Sequence, residues 1–223
     1  MGSDIQLVVE LLPDMIKAFG ETLYMVGISF VVALIIGLPL GVLLFVTDKG
    51  LFLENAVVKS ILGFIVNMIR SVPYIILLVA LIPLTIFLVG TPIGPTAASV
   101  SLSVAAIPFF ARIVETSLRE IDKGVIEAAI SIGATPWMII RNVLLPEAKS
   151  SIIQGLTLTV ISLVAYSAMA GVVGGGGIGD FAIRFGYYRY EDVIMAVTVV
   201  ILIVFVQIIQ FAGDWISKSV DKR

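Results

Sequence analysis

Apolar residues gather in five long runs, at about 19–46, 57–88, 96–118, 152–173 and 193–216, with short polar stretches between them. Each run is long enough to cross a hydrocarbon core of about 30 Å as a helix. The pattern predicts an all-α membrane protein with five transmembrane helices. It divides into an N-terminal segment at 1–18, a transmembrane domain at 19–216, a polar loop at 119–149 within it, and a tail at 217–223.

The runs are not uniform. The first carries Gly37 and Gly41 around Pro39. Such a pair predicts either a close helix approach or a local kink. The second is interrupted by Pro73 and Pro83, with Arg70 well inside it. A charge there costs about 2.5–3.5 kcal/mol at a helix centre, so Arg70 either snorkels to the headgroups or lines a polar path. The first half of the third run is made of small residues, Ala97 to Ala106, which suit tight packing or a wall that leaves room for a solute. Pro108 is expected to kink it, and Arg112 and Glu115 can pair at i,i+3. The fourth run is rich in hydroxyls. Its Tyr166, Ser167 and Met169 read either as helix packing or as the lining of a path for a solute both polar and apolar. In the fifth, Gln207 and Gln210 need partners, which a neighbouring helix would supply.

Two polar stretches are patterned. Gly174 to Gly179 formally matches G-x-G-x-x-G. It follows a membrane run and not a strand, so a dinucleotide site is rejected in favour of a flexible loop. The aromatics after it, Phe181, Tyr187, Tyr188 and Tyr190, fit a membrane-interface belt. The second stretch, Glu127 to Pro146, reads as two short helices with a break. Ile121, Val125, Ile126, Ala129 and Ile132 recur at helical spacing, and Asp122 is placed to cap the start. Gly133 ends the first helix. Thr135 and Pro136 begin the second, whose expected apolar face is Trp137, Ile140 and Val143 or Leu144, with Pro146 at its end or at a kink.

Composition narrows the classes. The chain has 223 residues, is 59% hydrophobic and 13% charged, and contains no cysteine and no histidine. Disulfides, thiolate metal sites, histidine triads and the H-E-x-x-H helix are excluded. A serine–lysine or paired-aspartate enzyme is compatible with composition, but no other feature supports one. No lysine-bearing P-loop is present, and no membrane run has an acidic residue at its middle. Residues 1–17 carry no basic residue before Lys17, so they do not read as a secretory signal, and position 6 lacks the Ser or Thr of a myristoylation motif. With the tail inside, the inner segments hold Lys49, Lys59, Arg119, Lys123, Arg141, Lys149, Lys218, Lys222 and Arg223. The outer segments hold Lys17, Arg184 and Arg189. Nine against three places the N-terminus outside and the 119–149 loop in the cytoplasm.

The Glu127–Pro146 stretch resembles the EAA loop of ABC-importer permeases: Glu127-Ala128-Ala129, three residues, Gly133, nine residues, then Val143-x-Leu145-Pro146, with valine where the pattern has isoleucine. Arg70-Ser71-x-Pro73, Pro108-Phe109-x-Ala111-Arg112-x-Val114-Glu115, Gly133-Ala134-Thr135-Pro136, Tyr166-Ser167-Ala168-Met169 and Gln210-x-x-Gly213-Asp214 are similar to the permeases of methionine ABC importers. The similarity spans Glu21 to Asp214. It implies a type I ABC-importer permease fold in the bacterial plasma membrane, working as a homodimer. Its implied partners are two cytoplasmic ATPase copies and an extracytoplasmic substrate-binding lipoprotein, with no nucleic acid. The chain would be a transporter subunit and not an enzyme. It would hold no cofactor, ATP and magnesium being bound by the ATPase. Glu127, Ala128, Ala129, Gly133, Ala134, Pro136, Leu145 and Pro146 would couple to that ATPase, Glu127 either docking by charge or stabilising the helix start. Arg70, Pro73, Pro108, Tyr166, Ser167 and Met169 are the candidates for the path. Two alternatives stand beside this: a permease of the same class for another amino acid or an osmolyte, and an ATP-independent secondary transporter or channel.

Overall fold

The computed structural model describes residues 2–220; Met1 and the tail residues 221–223 lie outside the described residues. The described residues are helical and contain no strand. The elements in order are α1 (Gly2–Val32), α2 (Leu38–Val46), α3 (Ala56–Ser71), α4 (Tyr74–Ala80), α5 (Ile82–Val89), α6 (Pro95–Arg119), α7 (Lys123–Ser131), α8 (Pro136–Ile139), α9 (Leu145–Glu147), α10 (Lys149–Ala170), α11 (Gly177–Phe181) and α12 (Asp192–Val220). Four helical stretches are long and apolar enough to cross a membrane: Gln6–Val46, Pro95–Arg119, Lys149–Gly175 and Asp192–Val220. α3 and α4 are together apolar enough for a fifth crossing, with a break between them at Val72–Pro73.

The chain forms two compact units. One comprises the stretch up to Val31, Pro73–Val104 and Val160–Ile209. The other comprises Val32–Val72, Ala105–Thr159 and the stretch from Gln210. The first unit packs around Met15, Ala18, Ile178, Phe181, Phe185 and Ile194. Phe181 is therefore a core residue and not part of an interface belt. Its ring lies 4.6 Å from Phe185, while Tyr187, Tyr188 and Tyr190 are exposed.

The small residues of α6 pack tightly within this unit. Ser29 donates to the Ser99 carbonyl (3.3 Å), Ser103 donates to the same oxygen (2.6 Å), and Ala97, Ala98 and Ser101 are buried. The glycine-rich stretch is a latched turn and not a loose loop. Gly174, Gly176 and Gly177 take positive φ, and two side chains of α1 cap the start of α11. Glu21 Oε2 accepts the Gly177 N–H and Thr22 Oγ1 accepts the Ile178 N–H, each at 2.9 Å.

In the second unit Leu44, Val66 and Ala111 form the buried centre. Here the Gly37–Gly41 pair proves to be both a close approach and a distorted turn. A Cβ on Gly41 would lie 2.5 Å from the Ala111 carbonyl oxygen and 2.6 Å from Val114 Cβ. One on Gly37 would lie 3.0 Å from the Ile107 oxygen. The preceding segment Ala33–Gly37 is a widened π-type turn that leads into Pro39. A second close crossing brings Gly213 of α12 against Thr157 of α10. The hydroxyls of Thr157 and Thr159 donate to carbonyls one turn back on α10, and the Ser167 hydroxyl does the same within the first unit. Gln210 finds its partner on its own helix, donating to Asp214 at 2.8 Å, and not across an interface.

Because the Gly41 face has no room for a side chain, Gly41→Val is expected to lower stability by about 1–3 kcal/mol through overpacking. Gly63→Ala, which has open space beside it, should leave the midpoint unchanged or raise it. Thermal unfolding of the two variants in detergent checks this.

Candidate functional site

The loop from Asp122 to Ala148 lies within the second unit and is built by local chemistry. Asp122 takes extended angles, and its carboxylate accepts the Gly124 N–H at 2.6 Å, starting α7. Gly133 has φ +79°; its N–H donates to the Ile130 carbonyl (2.9 Å) and that of Ala134 to the Ala129 carbonyl (3.1 Å). These two bonds are the Schellman closure of a helix end. Thr135 Oγ1 then accepts the Met138 N–H, and Pro136 opens α8. Pro146 cannot donate to the preceding turn, and the chain accommodates this by a widened turn at Ile140–Leu144, in which the Leu145 N–H reaches the Ile140 carbonyl.

The side chains divide in a way that periodicity alone does not give. Ile126 and Ala129 of α7, Ile139 and Leu144 are buried, while Ile132 is 85% exposed, Trp137 66% exposed and Met138 half exposed. The inner face of the second helix is thus Ile139 and Leu144; Leu144 fits the expected apolar face, while Trp137, also expected there, points outward. Glu127, Ala128, Gly133 and Pro136 are exposed, and Ala134 is half-buried. The first turn of α7 holds no acid, and Glu127 lies in its second turn, exposed. Ala129 holds α7 against its own unit. Leu145 and Pro146 line a cavity of about 670 Å³ with Leu38, Ile152 and Ile153.

Behind the loop, in the same unit, sits an ion cluster of which the sequence shows only the Arg112–Glu115 pair. Glu115 is 1% exposed. Its Oε1 accepts Lys59 Nζ (2.6 Å) and Arg119 (2.8 Å), and its Oε2 accepts Arg112 (2.6 Å). Lys59 also donates to the Leu44 carbonyl (2.7 Å), and Arg112 to Asn67 Oδ1 (2.6 Å). Asp48 bonds Arg119 and lies 3.4 Å from Lys59. Partial burial pushes the Asp48 carboxyl up, but the Lys49 N–H, Lys59 and Arg119 outweigh it and hold it below the usual carboxylate range. Its contribution to folding is therefore present at neutral pH and is lost only as pH falls through that depressed value. A buried carboxylate left without its cations costs about 3–5 kcal/mol, so the three donors are required once Glu115 is inside.

The path candidates are placed as follows. Arg70 closes α3, is exposed, and shares a cavity of about 380 Å³ with Arg112, Thr116, Gly155 and Leu158. Pro73 has extended angles at the break before α4, and α6 continues through a buried Pro108. In the first unit Tyr166 stacks on Tyr74 (centroids 4.8 Å, planes 10° apart), and the Tyr74 hydroxyl lies 3.0 Å from Ser101 Oγ. Met169 is half exposed, whereas Ser167 is buried and donates to Val164.

Apolar helices long enough to cross a membrane, with a capped, outward-presented helix pair in one connection, define an all-helical membrane protein with a preformed surface loop. Comparison with known proteins agrees. The family described as "Binding-protein-dependent transport system inner membrane component" matches residues 33–223. The chain is 54% identical to the probable D-methionine transport system permease protein MetI of Vibrio cholerae, over 94% of this chain and 93% of that one. It is 45% identical to the methionine import system permease protein MetP of Bacillus subtilis, over 95% and 96%. A chain of the inward-facing MetNI methionine ABC transporter superposes with TM-score 0.93 at 46% identity, covering 96% of this chain and 99% of that one. An amino acid ABC transporter at 20% identity shares the fold with TM-score 0.79. The chain belongs to the family of binding-protein-dependent transport system inner membrane components, with the type I ABC-importer permease fold.

The chain is free of cysteine, so single cysteines report exposure without background. In the isolated permease, cysteines at 132 and 137 should react with a water-soluble maleimide, and those at 139 and 144 should resist it. Equal labelling rates at all four positions would contradict the division of faces described above.

Proposed function

We propose that this chain is the membrane-spanning subunit of an ATP-driven methionine importer. It works as a homodimer docked on two copies of a cytoplasmic ATPase and served by an extracytoplasmic binding protein. The observation that carries the reading is the coupling loop. Its backbone is capped at both helices, so its shape is fixed before any partner arrives. It nevertheless presents Ile132, Trp137 and Met138 to water. An apolar crest of this kind is costly unless a partner covers it. Methionine as the solute is supported by the names of the Vibrio cholerae and Bacillus subtilis relatives, which match along almost the whole chain.

The parts have separate tasks. The crest enters a groove on the ATPase. Glu127 meets a cation there, and Ala128 and Gly133 allow close backbone approach. ATP and magnesium sit on the ATPase, which supplies the energy of the cycle. The N-terminus lies outside and the C-terminus inside, as the lysine and arginine distribution requires. Tyr166, stacked on the buried Tyr74, offers its half-buried ring, and Met169 an exposed thioether, to a solute that is apolar along its side chain.

The test is uptake of labelled L-methionine into proteoliposomes holding this chain with its co-encoded ATPase and binding protein. Uptake should require ATP and be competed by unlabelled methionine. Competition by a different amino acid instead would keep the mechanism and discard the substrate. Flux with this chain alone and no ATP would overturn the reading. Glu127→Lys is expected to abolish ATP-driven uptake while leaving the unfolding midpoint of the permease near wild type, since the position is exposed; Gly133→Trp should abolish uptake as well, with a lowered midpoint because Gly133 has φ +79°.

A further inference from the structure

We propose that Glu115 is the positioning residue that makes α2, α3 and the end of α6 move as one body with the coupling helices. The proposal rests on the reading of the chain as an ATP-driven importer. Its basis is the direction of the bonds. Both carboxylate oxygens of Glu115 are used, and the donors come from different elements: Lys59 from α3, Arg112 and Arg119 from α6 itself. Lys59 carries the link on to the Leu44 carbonyl at the end of α2, and Asp48 repeats it from the turn after α2. Arg112 extends the link along α3 to Asn67, two turns beyond Lys59. Only Glu120, Ile121 and Asp122 separate the last α6 residue from the first of α7, and Ile121 is buried. A displacement of α7 therefore reaches Arg119 through a short, anchored connection.

Stability alone does not account for this arrangement. Apolar residues of the same volume often replace a buried ion cluster without loss. What the cluster adds is orientation: short charge-assisted bonds that hold three segments at fixed angles. Apolar packing in a membrane helix pair permits sliding along the ridge, whereas a carboxylate gripped from three sides does not. The link is also placed where it is needed, at the root of the loop and not at its exposed crest.

The experiment uses the complete complex with its ATPase and binding protein, with two readouts. The first is methionine taken up per ATP hydrolysed. Glu115→Gln keeps the shape and removes the charge. It should leave hydrolysis and the ATPase-to-permease ratio near wild type and lower uptake per ATP by about tenfold, the equivalent of about one charged hydrogen bond. Asn67→Ala, at an exposed position that leaves Glu115 in place, should lower the ratio in the same direction by about threefold. The second readout does not depend on the solute. Spin labels at Ile61→Cys on α3 and Asn142→Cys in the coupling loop, both exposed, are placed in permease diluted into an excess of unlabelled permease so that one subunit of each dimer carries them, and should give one narrow within-subunit distance that is the same with and without ATP and magnesium. Glu115→Gln should broaden that distance. Unchanged uptake per ATP in both variants, or hydrolysis and uptake falling together, would overturn the proposal. So would a label distance that moves with ATP in the wild-type complex. A wild-type complex with no ATP-dependent uptake but a fixed label distance that Glu115→Gln broadens would instead sink the importer reading and leave the rigid body standing.

Discussion

Hydrocarbon offers no partner to a peptide N–H or C=O, and this one constraint shapes most of the structure. Every proline inside an apolar run removes a donor and pushes on the turn before it. At Pro39 the chain meets this with a widened turn, Ala33–Gly37, so the bonding continues in a looser register and the helix does not stop, while α6 runs on through Pro108 without one. At Val72–Pro73 the backbone is extended, and the run of apolar residues becomes two helices. Hydroxyls on α10 donate back to their own helix for the same reason. Where the helices must also approach, glycine supplies the room. Gly41 against Ala111 and Gly213 against Thr157 are contacts a methyl group would prevent.

The coupling loop is governed by the opposite solvent. Its helices are short, and isolated helices of this length are marginal in water. Asp122, the Gly133 closure and Thr135 supply the missing bonds at three of the four ends. Ile126, Ala129, Ile139 and Leu144 fasten the pair to its own unit. Only with shape fixed this way can Ile132, Trp137 and Met138 stand exposed without collapsing inward. The loop is ordered by its own caps, so the docking proposed for it would carry a smaller entropy cost.

What could be read from the chain follows from the range of each interaction. Helices, caps and the end at Gly133 were legible because their causes are local: Asp122 acts within two residues and Thr135 within three. The five runs were legible because a membrane imposes a length. Facing was not, and Trp137 shows why. In a short helix the apolar side chains on both faces satisfy the same periodicity, and only the distant packing around Ile139 and Leu144 decides which turn inward. The glycine-rich turn failed for a similar reason. Its capping groups, Glu21 and Thr22, lie 156 residues earlier in the chain. Phe181 read as part of an aromatic belt because Tyr187, Tyr188 and Tyr190 follow it in the chain, yet it fills the centre of the first unit.

Glu115 marks the limit of the sequence reading most clearly. Its i,i+3 relation to Arg112 was visible, and alone it describes an ordinary surface pair worth a few tenths of a kcal/mol. Lys59 is 56 residues away and Asp48 is 71 residues from Arg119, so nothing in the spacing joins them. Once they meet, the carboxylate that seemed to mark the end of a helix becomes the point where α3 and α6 are fastened. A membrane helix end is normally where charges separate into water. Here three cations turn back toward one buried acid, and that inversion fixes the segments from which the coupling helices hang.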